Sequence, residues 1–116
     1  MNYTVLDVYS FVGGKYAIEA NDGDEIYKQA FQTLNPNKRV NLSFKGITLV
    51  TTSFLNASIG RLYEEFTEKK IRELFTVSDT TNSINRASLR VAQTAKLRYS
   101  DQERFKARIN EIMDEE

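Results

Sequence analysis

An α/β fold is what this 116-residue sequence predicts: a mixed, mainly parallel four-stranded sheet packed by helices, with a C-terminal helix. Three observations predict it. Segments rich in β-branched and aromatic residues alternate along the chain with segments of helical periodicity, an order that calls for crossover connections. Val40, Leu42 and Phe44 alternate with Asn41 and Ser43, the period of a strand. Leu55, Ile59, Leu62 and Phe66 recur at spacings of four, three and four, the stripe of an amphipathic helix.

Each element has its own signal. Tyr3 to Tyr9 is β-branched and aromatic and reads as a strand. Gly13-Gly14 marks a turn, and Lys15 to Glu19 reads as the returning arm of a hairpin, which makes the sheet mixed. Phe11, Tyr9 and Tyr16 around that turn read as hairpin packing, with an exposed aromatic tip as the alternative. Asn21-Asp22-Gly23 breaks the arm, and Asp22 with Glu25 resembles a capping box. The helix it opens carries Ile26, Ala30 and Leu34 on one face beside Tyr27 and Phe31, and Asn35-Pro36-Asn37 stops it. Arg39 to Phe44 is the next strand. Gly46 turns the chain, and Ile47, Leu49 and Val50 are expected to pack again.

Thr51, Thr52 and Ser53 then open a helix expected to run from about Ser53 to Lys70. Gly60 inside it costs on the order of 1 kcal/mol relative to alanine, so a close approach to the sheet is expected there. Glu73 to Val77 reads as a fourth strand. Asp79-Thr80-Thr81-Asn82 supplies N-cap candidates for a helix carrying Ile84, Ala87, Val91 and Ala95. Ser100 and Glu103 read as a capping box for a separate last helix with Phe105, Ile109 and Ile112 on one face, ending in acidic Asp114-Glu115-Glu116. With no repeat, low-complexity stretch or linker, residues 1–116 read as one domain: a core over 1–99 and a C-terminal helix over 100–116.

Composition removes several function classes. Lys plus Arg and Asp plus Glu both number 16, so the formal charge is zero. That opposes a mainly electrostatic grip on nucleic acid or anionic lipid, and neither is expected as a partner. Lys69, Lys70 and Arg72, like Arg86, Arg90 and Arg98, read as solvated helix surface. No apolar run approaches the roughly 20 residues that span a bilayer. Met1-Asn2-Tyr3-Thr4-Val5 lacks the basic start and apolar core of a signal peptide, so a cytoplasmic location is the expectation. Cysteine and histidine are both absent. Thiol nucleophiles, imidazole bases and most transition-metal sites go with them. No catalytic residue, metal or cofactor is expected. Carboxylates with Mg²⁺ are the enzymatic route left open, but Glu64 and Glu65 point apart on their helix and Glu64 with Glu68 is ordinary surface spacing.

The hydroxyl cluster is the segment most open to a function. It can cap its helix, bind an anion or accept a phosphate. The stretch from Arg39 to Arg72 also resembles STAS domains, the fold of anti-sigma factor antagonists. In that family a strand, an Asp-Leu-Ser-Gly-like turn and an Asp-Ser-Ser-Gly-Leu motif lead into a helix. Leu42-Ser43-Phe44-Lys45-Gly46-Ile47 fits the first part and Thr51-Thr52-Ser53-Phe54-Leu55 the second. Ser53-Phe54-Leu55 followed by Leu62-Tyr63-Glu64-Glu65-Phe66 is more similar to a STAS-like family of unknown function often found beside GHKL-type ATPases. The element order agrees over about residues 1 to 99.

The resemblance implies a STAS-like fold and a non-catalytic, regulatory interaction module, monomeric or weakly dimeric, whose protein partner is a GHKL-type ATPase or kinase. It places the phosphoacceptor on Ser53, with Thr51 where the family has an acidic residue and Phe54 where it has glycine. Thr52, Ser53, Phe54 and Asn56 are the partner-contact candidates, Phe54 as an anchor if exposed and a core residue if not. A nucleotide or small anion at the same helix start is the alternative, although no Walker-type loop is present.

Overall fold

The computed structural model describes residues 3–114, with side chains described over residues 3–99. β1 (Tyr3–Asp7) leads into a short helix, α1 (Val8–Val12), followed by β2 (Tyr16–Ala17) and α2 (Ala20–Leu34). β3 (Arg39–Ser43) and β4 (Leu49–Val50) come next. α3 (Thr52–Leu55), a π-helical turn (Asn56–Gly60) and α4 (Arg61–Glu65) run on as one rod. α5 (Glu68–Leu74), β5 (Phe75–Ser78) and α6 (Asn82–Asp114) complete the order.

The sheet differs from the expected four-stranded mixed one. Three strands in the order β1-β3-β5 form one sheet, and β2 with β4 forms a second. Every pair in both is parallel. The N-terminal hairpin does not form, because the chain leaves β1 directly into α1 and buries Val8 there. Gly13, at φ 73°, ends that turn with its N–H on the carbonyl of Tyr9 (2.9 Å). This is the left-handed C-terminal stop that glycine takes without steric cost. The chain therefore does not fold back on β1, and β2 pairs with β4 instead, Tyr16 opposite Leu49 and Ala17 opposite Val50.

On one face of the three-stranded sheet, Leu6, Leu42 and Val77 lie in register, as do Val40 and Phe75. α2 packs there, and Val40, Leu42 and Phe44 are buried as the alternation predicts. The opposite face is open and mixed, with Tyr3 and Val5 exposed beside a polar row. Asn41 donates to Ser78 Oγ (3.0 Å) and accepts from Thr76 Oγ1 (3.0 Å), while Ser43 donates to Asp79 Oδ2 (2.9 Å).

α2 starts earlier than expected. Glu19 occupies the N-cap position with no side-chain bond, so the Asp22–Glu25 capping box does not form. Asp22 instead sits in the first turn, where a carboxylate suits the helix dipole. Gly23 does not break the helix but lets the rod approach. A Cβ there would lie 2.6 Å from the Phe54 carbonyl oxygen and 2.9 Å from the Ala57 side chain.

The rod buries Phe54, Ser58 and Leu62, and beside them Leu55 and Ile59, at steps of four. In a regular α-helix each such step drifts about 40° around the axis. The wider π turn takes up that drift and keeps these residues on the core side. Gly60 faces α6 and not the sheet, a Cβ there meeting Val91 Cγ1 at 3.3 Å. The rod also stops at Glu65, short of Lys70. Phe66 turns extended to stack on Phe31, ring centroids 5.3 Å apart, and Thr67 caps α5 by accepting from the Lys70 N–H (3.2 Å). Leu74 and Glu73 belong to α5, so β5 begins at Phe75.

Thr81 caps α6, accepting from the Ile84 N–H at 3.1 Å, and Ile84, Val91 and Ala95 are buried. α6 continues through Ser100, so the separate last helix is not observed. No glycine or proline interrupts residues 82–114, and Ser, Asp and Glu are tolerated inside helices. The Phe105, Ile109 and Ile112 face lies outside the residues whose side chains are described, and Glu115 and Glu116 lie outside the described residues. Among the described residues no helix is long and apolar enough to cross a membrane.

Candidate functional site

β4 ends at Val50 and hands the chain to Thr51, which does three things. Its N–H donates to the Ala17 carbonyl (3.1 Å) and its hydroxyl donates to the Ile18 carbonyl (2.6 Å). The same hydroxyl oxygen accepts from the Phe54 N–H (3.1 Å). Thr51 is therefore the N-cap of α3 and also ties the helix start to the end of β2.

With Thr51 committed to capping, Thr52 and Ser53 follow it on the first turn and both are exposed. Asn56 is exposed at the start of the π turn. Phe54 is not. It is completely buried and belongs to the core, so it is no surface anchor. The cause is the rod's packing: the backbone of Phe54 lies against Gly23 of α2, and Phe54 and Leu55 together face inward. Of the four expected contact residues, Thr52 and Ser53 share the exposed helix start, while Asn56 lies in the π turn with its side chain near Gly60 and α6.

Sequence reasoning missed most of the apolar half of this surface, offering only Tyr16, as part of an exposed aromatic tip, as an alternative to hairpin packing. Tyr16, Ile18 and Leu49 are 52%, 43% and 49% exposed. Leu49 was expected to pack inside, and its neighbour Ile47 does. Strand alternation explains the difference: Ala17 and Val50 turn inward, so Tyr16, Ile18 and Leu49 turn out. Tyr16 stands directly opposite Leu49, and Ile18 is the residue bonded to Thr51. The Lys15 ammonium sits 5.4 Å from the centre of the Tyr16 ring. The only signal available beforehand was the alternation itself, and two-residue strands are too short to display it.

The displaced titrations belong to α2 and α4. Burial raises the Tyr27 hydroxyl, Glu65 adds to this, and the Arg61 guanidinium over its ring (4.3 Å) opposes it. Burial also raises Tyr63, with Glu68 adding. Among the described residues no three carboxylates gather closely enough to hold a metal ion. The edge carries the Thr52 and Ser53 hydroxyls on a helix start that Thr51 ties to β2, and β2 with β4 presents three apolar side chains.

The comparison with curated proteins gave no match, and neither did that with solved structures. A family model described as a STAS-like domain of unknown function (DUF4325) matches residues 22–85, more than half of the chain. The matched span runs from the first turn of α2 to the first turn of α6 and includes the hydroxyl edge. Parallel strands, helices packed on one face of the main sheet and this match agree: the chain belongs to the family of STAS-like domains of unknown function.

Proposed function

We propose that this protein is a non-catalytic regulatory module that docks a protein partner on the edge formed by β2, β4 and the start of α3. The observation that carries the reading is the exposed apolar trio, Tyr16, Ile18 and Leu49, tied by Thr51 to the exposed hydroxyls of Thr52 and Ser53. Apolar side chains at this exposure, beside fixed polar groups, suit a protein contact better than they suit water. The resemblance to STAS domains supports a GHKL-type ATPase or kinase as that partner and Ser53 as a phosphoacceptor. Phosphate there would add about −1.5 to −2 charges to the contact surface.

The test is affinity for the ATPase captured from the native cell, measured with the full chain. Ile18→Asp with Leu49→Asp removes two apolar contacts, each worth about 1.5 kcal/mol or more when fully buried, and is expected to weaken binding at least about tenfold. Ser53→Asp is expected to weaken it as well. Unchanged affinity in the double variant refutes the docking surface. Unchanged affinity in Ser53→Asp alone refutes the phosphate switch.

A further inference from the structure

A second feature lies on the far side of the rod, between α5, β5 and α6. A cavity of about 330 Å³ opens there. Its body is apolar, with Ile59, Ile71, Phe75, Val77 and Ala92 among its lining. Ser88 also lines it, and its hydroxyl is buried, the residue being 6% exposed. That hydroxyl has no hydrogen-bond partner among the described residues. A helical serine ordinarily satisfies itself on the carbonyl one turn back, as Ser58 does on Phe54 (2.9 Å). A buried polar group left unpaired is costly and calls for an explanation.

The mouth is charged. Glu68 lies between Lys96 (3.4 Å) and Arg72 (3.8 Å), so two cations face one carboxylate. Lys96 also stands 5.8 Å from the centre of the Tyr63 ring. The net charge of this rim is one positive. An apolar chamber of this size, with one unpaired buried hydroxyl and one surplus cation, has the makeup of a small-molecule site, which typically spans about 300–1,000 Å³.

We propose that this cavity binds a small amphiphile: a ring-sized apolar body bearing one anionic group for Lys96 and Arg72 and one polar atom for Ser88. The site stands apart from the docking edge. Ser88, Leu89, Ala92 and Lys96 lie beyond the residues matched to the family, while Glu68, Ile71, Arg72, Phe75 and Val77 lie within them.

Two fluorescent probes test it on the full chain: anionic anilinonaphthalene sulfonate and neutral N-phenylnaphthylamine. Both are expected to bind saturably, one per chain, shifting the amide resonances of Ile71, Ser88 and Ala92. Ala92→Trp fills the chamber and is expected to abolish binding of both. Leu89→Trp, at the exposed mouth, is expected to weaken both with an unchanged melting temperature, which covers the case in which Ala92→Trp fails to fold. Lys96→Gln is expected to weaken the sulfonate about threefold and leave the neutral probe unchanged. Absence of saturable binding, shifts confined to other residues, or binding indifferent to Leu89→Trp overturns the site. Equal effects of Lys96→Gln on both probes overturn the anionic assignment.

Discussion

Replacing Gly23 by alanine sets two effects of opposite sign against each other. Inside an exposed helix, alanine gains about 1 kcal/mol over glycine. At Gly23 the added methyl would stand 2.6 Å from the Phe54 carbonyl oxygen and 2.9 Å from Ala57 Cβ, with the Ser58 nitrogen at 3.3 Å. Two of these three atoms are backbone and cannot swing aside. Relief requires α2 and the rod to separate, an overpacking cost of about 1–3 kcal/mol. The Ser58 hydroxyl bond to the same carbonyl (2.9 Å) is strained as well, at about 1 kcal/mol. The sum favours destabilisation by about 1–3 kcal/mol, or a melting temperature lowered by about 4 °C for each kcal/mol. Urea and thermal unfolding monitored by circular dichroism measure it. Gly60→Ala is the milder comparison: its methyl would meet only side-chain atoms this closely, Val91 Cγ1 (3.3 Å) and Asn56 Oδ1 (3.4 Å), and the gain in helix propensity of about 1 kcal/mol offsets the shift that buried Val91 must make, so a smaller loss than for Gly23→Ala is expected. A Gly23→Ala protein as stable as the native one, or more so, refutes the close approach of α2 to the rod.

Two further outcomes are expected. Thr51→Val keeps the shape of the side chain but removes both the cap on Phe54 and the bond to Ile18, so urea unfolding should show a loss of about 1–2 kcal/mol; a loss below about 0.5 kcal/mol contradicts the double role. Alkali should also destabilise the fold. Tyr27 and Tyr63 are raised above their ordinary value of 10.0, so the folded state holds both protons more tightly than the unfolded chain. Their contribution is complete below that value and is lost as pH climbs through the folded-state pKa. Melting temperatures should therefore fall above about pH 10, and Tyr27→Phe with Tyr63→Phe should flatten that fall. An identical slope in the double variant would exclude the tyrosines as its source.

The fold was most legible where the pattern was long. The stripe Leu55, Ile59, Leu62 and the alternation Val40, Leu42, Phe44 predicted burial correctly because each repeats over several residues. Thr81 was among the cap candidates and does cap α6. Pairing was not legible. β2 and β4 have two residues each, and no local signal tells which segment a short strand will join. Gly13-Gly14 looked like a hairpin because a glycine pair marks a reversal and a helix stop equally well. Ser100 with Glu103 looked like a boundary because the same residues serve as caps and as helix surface. At the β2–β4 edge the hydroxyls could be read directly, while the meeting of Tyr16 and Ile18 with Leu49 could not, since over 30 residues of sequence separate the two strands that present them. The α5–α6 cavity had no sequence signal, being defined by side chains from four separate elements.

The π turn at Asn56–Gly60 also makes this part of the chain tolerant of one particular change in length. Five residues at the wider winding of a π turn cover nearly the rotation that four cover in regular α-helix, about 400°. Excising one residue there lets the turn tighten while Leu62, then seven positions after Phe54, stays on the inward side. An insertion finds no such slack, so one added residue here is more damaging than one removed.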